Sequence, residues 1–237
     1  MGLRSQERYA LLTDYETTTA YARAFYTLFA NMRFHREDEL ASPGQDPGSV
    51  RAPAHTLLVT SASVYKDRAT VAANLAIVAA QSGAETILVD ADLQAPSMQQ
   101  RFGVCGGAGL SDLLEAGEIT PERIASCLLP TFVPGLRVLG AGAAPAQGAT
   151  LLLSPHLEQL VQALRELLAV RKQSAGVVLF HSAPVLSGAD ASLIGALTDQ
   201  TVLAVIMGQT TRVQARQAQE QMAQAHIKRA GVLILHP

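Results

Sequence analysis

A chain of 237 residues with 49% apolar side chains can bury a sizeable core, most simply as one α/β domain. Its 18 basic and 20 acidic side chains leave a net charge of −2, so the total charge gives no pull towards nucleic acid or an anionic membrane. Two cysteines without metal-ligand spacing, Cys105 and Cys127, read as small hydrophobes in a reducing compartment, and no run reaches the ~18–20 apolar residues of a membrane span.

Residues 1–40 are polar and helical in pattern, with an aromatic cluster between Tyr21 and Phe34. The first apolar stretch is broken by charge and aromatics, unlike a signal peptide, so the chain is expected to be cytoplasmic. Residues 41–54 (ASPGQDPGSVRAPA) have the Pro, Gly and Ser content of a linker, leaving 55–237 as the main domain. Strands are expected at 56–61, 85–90, 135–139, 176–180, 201–207 and 230–235. Helices are expected at 69–82 (ending at Gly83), 109–116, 121–128, 154–172, 189–197 and 211–226. Uniformly apolar strands separated by helices predict a doubly wound, mostly parallel sheet covered on both faces. Ligands in such sheets sit at the carboxyl ends of the strands, which singles out 61–70, 90–97 and 181–190.

The first of these loops, S-A-S-V-Y-K-D-R-A-T, leads from strand to helix where a phosphate-binding turn would lie. Such a turn needs glycines to aim backbone N–H groups at phosphate, a Lys for the β/γ-phosphates and a hydroxyl for Mg²⁺. Tyr65 and Asp67 instead carry β-carbons at the glycine positions, flanking Lys66, and the Asp67 carboxylate repels phosphate. Arg68 takes the Lys position with a planar head that does not replace a compact ammonium. Ala69 stands at the hydroxyl position and Thr70 follows one residue late. In the second loop (ILVDADLQAPSM), Asp90 and Asp92 can hold a metal-bound water or act as base, or Asp90 can bind neighbouring backbone instead. The third loop (FHSAPVLSGADA) opens on His181, a poor partner for Mg²⁺ and expected to be a structural imidazole hydrogen-bonded at the strand end.

With these loops in order, the chain resembles the cytoplasmic domain of bacterial tyrosine kinases (BY-kinases), relatives of the MinD/ParA group of P-loop proteins. The resemblance rests on AYARAFYTLFANMRF, LLVTSA…TVAANLAIVAAQSG, ILVDADLQAPS and VVLF.SAPVL.GADA. It implies a P-loop NTPase-like fold, with ATP and Mg²⁺ in an active member and a polysaccharide co-polymerase as partner in capsule or exopolysaccharide export. Departures from the family pattern concentrate at the chemistry. The family's loop Pro, Gly, Gly, Lys and Ser become Val64, Tyr65, Asp67, Arg68 and Ala69, and its third-motif Asp becomes His181. The E-x-x-R-x-x-R element that joins ring neighbours becomes Arg23, Tyr26 and Phe29. The C-terminal tyrosine cluster has no counterpart, since all 5 tyrosines precede Lys66. Of the family's catalytic set, Asp90 and Asp92 alone persist.

The resemblance therefore implies a degenerate kinase, a scaffold or regulator without cofactor. Its partner would be another copy, an active kinase subunit or a membrane co-polymerase, reached through an apolar helix face including Phe25 and Phe29 beside Arg23 and Tyr26. One alternative is an ATP-dependent kinase or ATPase in which Arg68 and Thr70 stand in for the lost groups and Asp90 and Asp92 hold Mg²⁺. Another is a ParA/MinD-like positioning or filament-forming protein, although Arg212, Arg216, Lys228 and Arg229 make too narrow a basic stripe for nucleic acid. Tyr15, among acidic neighbours, is a candidate for phosphorylation in trans.

Overall fold

The computed structural model describes residues 11–12, 19–40, 54–65, 68–143, 148–169, 176–227 and 230–235, with side chains omitted for 33–40, 148–149 and 230. Residues 41–53 of the proposed linker, Tyr15, Lys66, Asp67, Lys228 and Arg229 lie outside the described residues.

Seven strands form one sheet in the order β3-β4-β2-β5-β1-β6-β7. They are β1 (His55–Ser61), β2 (Thr86–Ala91), β3 (Leu128–Pro130), β4 (Leu136–Leu139), β5 (Val177–Ser182), β6 (Gln200–Ile206) and β7 (Ala230–Leu235). Every pairing is parallel except β3 with β4. The doubly wound, mostly parallel architecture expected from the apolar runs is present, with the short antiparallel β3 as an addition. LLP offers too few residues for a strand pattern of its own.

Alternation along the central strands divides the core in two. Leu57, Val59, Leu88, Val177 and Leu179 face one layer, while Leu58, Ile87, Val89, Val178 and Phe180 face the other. The first layer holds α1 (Ala20–Leu40) and α2 (Arg68–Gln81). The second holds α4 (Leu110–Ala116), α5 (Pro121–Cys127), α7 (His156–Leu167), α8 (Asp190–Leu197) and α9 (Arg212–Gln224), with the shorter α3 (Met98–Phe102) and α6 (Gly148–Leu151) on connecting segments. Helix boundaries move by a residue or two from the sequence expectation. Gly83, in the left-handed region at φ 87°, follows the end of α2 as expected. The larger difference is α7, which begins at His156, with Ser154 Oγ accepting from the His156 N–H at 3.2 Å, and ends at Leu167.

Helix α2 is buried from Ala69 to Ala80 without a polar face. A helix apolar all round needs cover on the side away from the sheet, and α1 supplies it. Phe25, Phe29 and Met32 of α1 join the same buried cluster as Leu75 and Ile77 of α2. Polar ties fix the seat: Tyr26 Oη donates to Gln81 Oε1 at 2.6 Å, and Asn74 Nδ2 donates to Tyr21 Oη at 3.1 Å. This corrects the expectation for the interface residues. Phe25 and Phe29, 1% and 4% exposed, pack on their own domain and Tyr26 is tied to it, leaving Arg23 on the exposed side.

Candidate functional site

The carboxyl ends of β1, β2 and β5 converge on one buried crevice. Asp90 belongs to β2 and lies in register with His181 of β5, while Asp92 follows the end of β2. Arg68 is the first residue of α2, after the turn that leaves β1. The parallel sheet thus brings three separated loops to one end, as the sequence order of strand and loop led us to expect.

Arg68 crosses this space. Its Nη2 donates to Asp92 Oδ2 at 2.7 Å, and Nη1 reaches the Tyr65 carbonyl at 3.5 Å. The pair is deep, with 16% of the Arg68 side chain and 1% of Asp92 exposed. Asp92 Oδ1 accepts from the Ala95 N–H at 3.1 Å. His181 Nε2 lies 3.9 Å from the same Asp92 Oδ2, and neither ring nitrogen has a hydrogen-bond partner. The hydrogen-bonded strand-end histidine expected from sequence is therefore corrected to a buried imidazole lying beside an existing ion pair. Burial pushes His181 down to about 4; Asp92 pulls it up, while Arg68 and Arg101 push it further down.

Asp90 takes the role of a remote helix cap. Its Oδ2 accepts from the backbone N–H groups of Ser97 at 2.7 Å and Met98 at 2.8 Å, which open α3. Ser97 itself makes no side-chain cap there. Asp90 Oδ1 has no hydrogen-bond partner. Burial raises its pKa to about 6, with the backbone N–H groups of Met98, Ser97 and Asp92 opposing the rise and the Asp92 charge adding to it.

The remaining candidates are also engaged. Thr70 Oγ1 accepts from Arg101 Nη1 at 2.9 Å, and Ala69 places a buried methyl beside it. Tyr65 is 6% exposed and belongs to the buried cluster beneath α1 and α2. Two participants were not singled out from sequence. Arg101, 8% exposed, lies on α3, where nothing in MQQRF marks one arginine as internal. Asp190 opens α8, and burial followed by the Asp92 charge raises its pKa. Its signal was available in the GADA quoted from the third loop.

Two side chains of this cluster already hold cationic partners. Asp92, the buried carboxylate best placed for a cation, already holds a guanidinium, and the Thr70 hydroxyl holds a second. Among the described residues, no three His, Cys, Asp or Glu side chains are grouped to hold a metal ion. Cys105 and Cys127 are free, the first exposed and the second buried.

No family model matches the chain. Tyrosine-protein kinase YwqD of Bacillus subtilis (strain 168) is 31% identical over 186 residues, covering 78% of this chain and 74% of that protein. The chain belongs to the bacterial tyrosine kinase family. Within that family it also matches a putative tyrosine-protein kinase, EpsB of Ralstonia solanacearum, at 31% identity over 163 residues; the match spans 20% of EpsB. Among solved structures, the chimerical protein CapA2B2 superposes with a TM-score of 0.76 at 23% identity, covering 96% of this chain and 89% of that one. The fold reaches beyond kinases. Cobyrinic acid a,c-diamide synthase from Mycobacterium smegmatis, solved with an ATP analog and magnesium, superposes with a TM-score of 0.61 at 18% identity over 76% of this chain and 74% of that one. No described helix is long and apolar enough to cross a membrane.

Proposed function

We propose that this BY-kinase family member is a catalytically inactive scaffold or regulator acting in exopolysaccharide or capsule polymerisation and export. One observation carries the reading: the Arg68 guanidinium sits on Asp92 at 2.7 Å in the buried end of the crevice. A guanidinium there satisfies the carboxylate with an internal cation and leaves no place for a hydrated metal on that oxygen.

Phosphoryl transfer depends almost wholly on positioning and on charge stabilisation of the transferred group. Each lost donor of this kind costs ~2.7–4 kcal/mol. The loop lysine and the metal-ligating hydroxyl are both replaced, and His181 replaces the third-motif carboxylate. Residual catalysis from the remaining aspartates is then negligible. A role through contacts follows, with a membrane co-polymerase, an active kinase subunit or another copy as partner.

The test incubates the full chain with radiolabelled ATP and Mg²⁺, beside an active tyrosine kinase as positive control. The expected result is no phosphotyrosine on the chain alone and no phosphate release above background. Turnover that disappears in Asp90→Asn would overturn the proposal.

A further inference from the structure

We propose that β7 is a self-association edge, at which two copies of this chain pair antiparallel across a two-fold axis. Strand β7 pairs with β6, and no described strand lies on its other side. Exposed strand edges are ordinarily blunted by lysine, proline, a bulge or a covering element. The β7 sequence AGVLIL contains no charge and no proline.

Its two faces differ. Leu233 and Leu235 pack against the layer beneath α1 and α2. Val232 and Ile234 point to the α9 side, in register with Leu203 and Val205 of β6, and remain 59% and 56% exposed. Between that strip and α9 runs a groove of about 610 Å³, lined by Leu203, Val205, Met222 and Val232 on its apolar side and by Arg212 and Arg216 on its rim. A parallel sheet is normally covered on both faces, so this strip is an unfinished layer.

A second copy completes it in a self-consistent way. Residues opposite one another in an antiparallel pair share a face, so a two-fold axis through Leu233 sets Val232 against Ile234 of the second copy, and the reverse. The two exposed side chains then cover each other. Across such an axis the two β6 strands lie three strand spacings apart, ~14 Å, and the two α9 helices run antiparallel on the same side of the joined sheet. Helix α9 carries Arg216 and Glu220, joined at 2.9 Å and 81% and 57% exposed. Antiparallel α9 helices place Arg216 of one copy against Glu220 of the other. A partner of a single charge sign would leave one of these two groups opposed by a like charge. The second copy matches both.

The test measures the mass of the full chain by light scattering after size exclusion, for the wild type, Ile234→Lys and Arg23→Glu. Ile234 is exposed, so its variant should keep its melting curve while weakening the dimer about tenfold or more. In a Cys105→Ser background, a mixture of Val232→Cys and Ile234→Cys chains should form more disulfide-linked dimer than either variant alone. A monomeric wild-type chain overturns the proposal. So does a dimer indifferent to Ile234→Lys that yields to Arg23→Glu, and so does cross-linking that is no greater in the mixture.

Discussion

Asp92 has 1% of its side chain exposed and is paired at 2.7 Å with the Arg68 guanidinium, so removing that partner leaves a buried polar group without its ion pair. Arg68→Ala should therefore lower the unfolding free energy by about 3–5 kcal/mol in urea titrations, the usual cost of leaving one member of a buried pair alone. Arg68→Lys should recover part of it; a loss below ~1 kcal/mol would mean that the Arg68–Asp92 pair contributes no more than a surface ion pair. The same corner predicts opposed pH responses. Asp90 is raised from 3.8 to about 6, so between those values the folded chain holds a proton that the unfolded chain has released, and stability falls as pH rises. His181 is lowered from 6.5 to about 4, so there the unfolded chain holds the extra proton, and stability rises with pH. The slopes oppose each other between about pH 4 and 6 in the wild type. His181→Gln should unmask the fall and Asp90→Asn the rise, each on the order of 2 kcal/mol across the window. Unfolding curves of the two variants with the same sign of slope would contradict the assignment.

At the scale of elements, α1 and α2 act as one unit. Phe25→Ala should cost about 3–5 kcal/mol as a large deletion from a packed core, read from denaturant midpoints. Phe29→Glu should cost at least as much, because it buries a charge without a partner. A Phe29→Glu chain with an unchanged midpoint would show that α1 does not seat there. The amphipathic pattern of residues 21–32 was legible in the sequence, but which surface it covers was not. The clue lay in α2, whose RATVAANLAIVAAQ has no polar face and so needs an outer cover. Strands with four or more apolar residues were also legible, because burial on both faces leaves a continuous apolar run. The three-residue β3 and the five-residue α3 were not, since their places are set by contacts distant in sequence. The crevice divides in the same way. Strand order brought Asp90, Asp92, Arg68 and His181 together as candidates, whereas the Arg68–Asp92 contact and the Arg101–Thr70 contact are tertiary facts that no local pattern encodes.

Over the whole molecule, the fold superposes on that of CapA2B2 and of the cobyrinic acid a,c-diamide synthase, while Arg68 supplies the crevice with an internal cation. Residues of the strand-end loops are packed as well, with Tyr65 and Ala69 buried in the same cluster as α2. Strand pairing and the two cores explain why the TSA and AANLA flanks persist around an altered turn: Ser61 closes β1, Ala62 is buried just after it, and Ala72 to Ala76 lie within the buried length of α2. On the proposed function, the internal Arg68–Asp92 pair stands in place of a bound magnesium nucleotide. Calorimetric titration of ATP with Mg²⁺ into the full chain tests it most directly. The prediction is no saturable heat up to millimolar ATP. A saturable isotherm with Kd tighter than ~100 μM, about −5.5 kcal/mol, that requires Mg²⁺ and is lost in Asp92→Asn would contradict it.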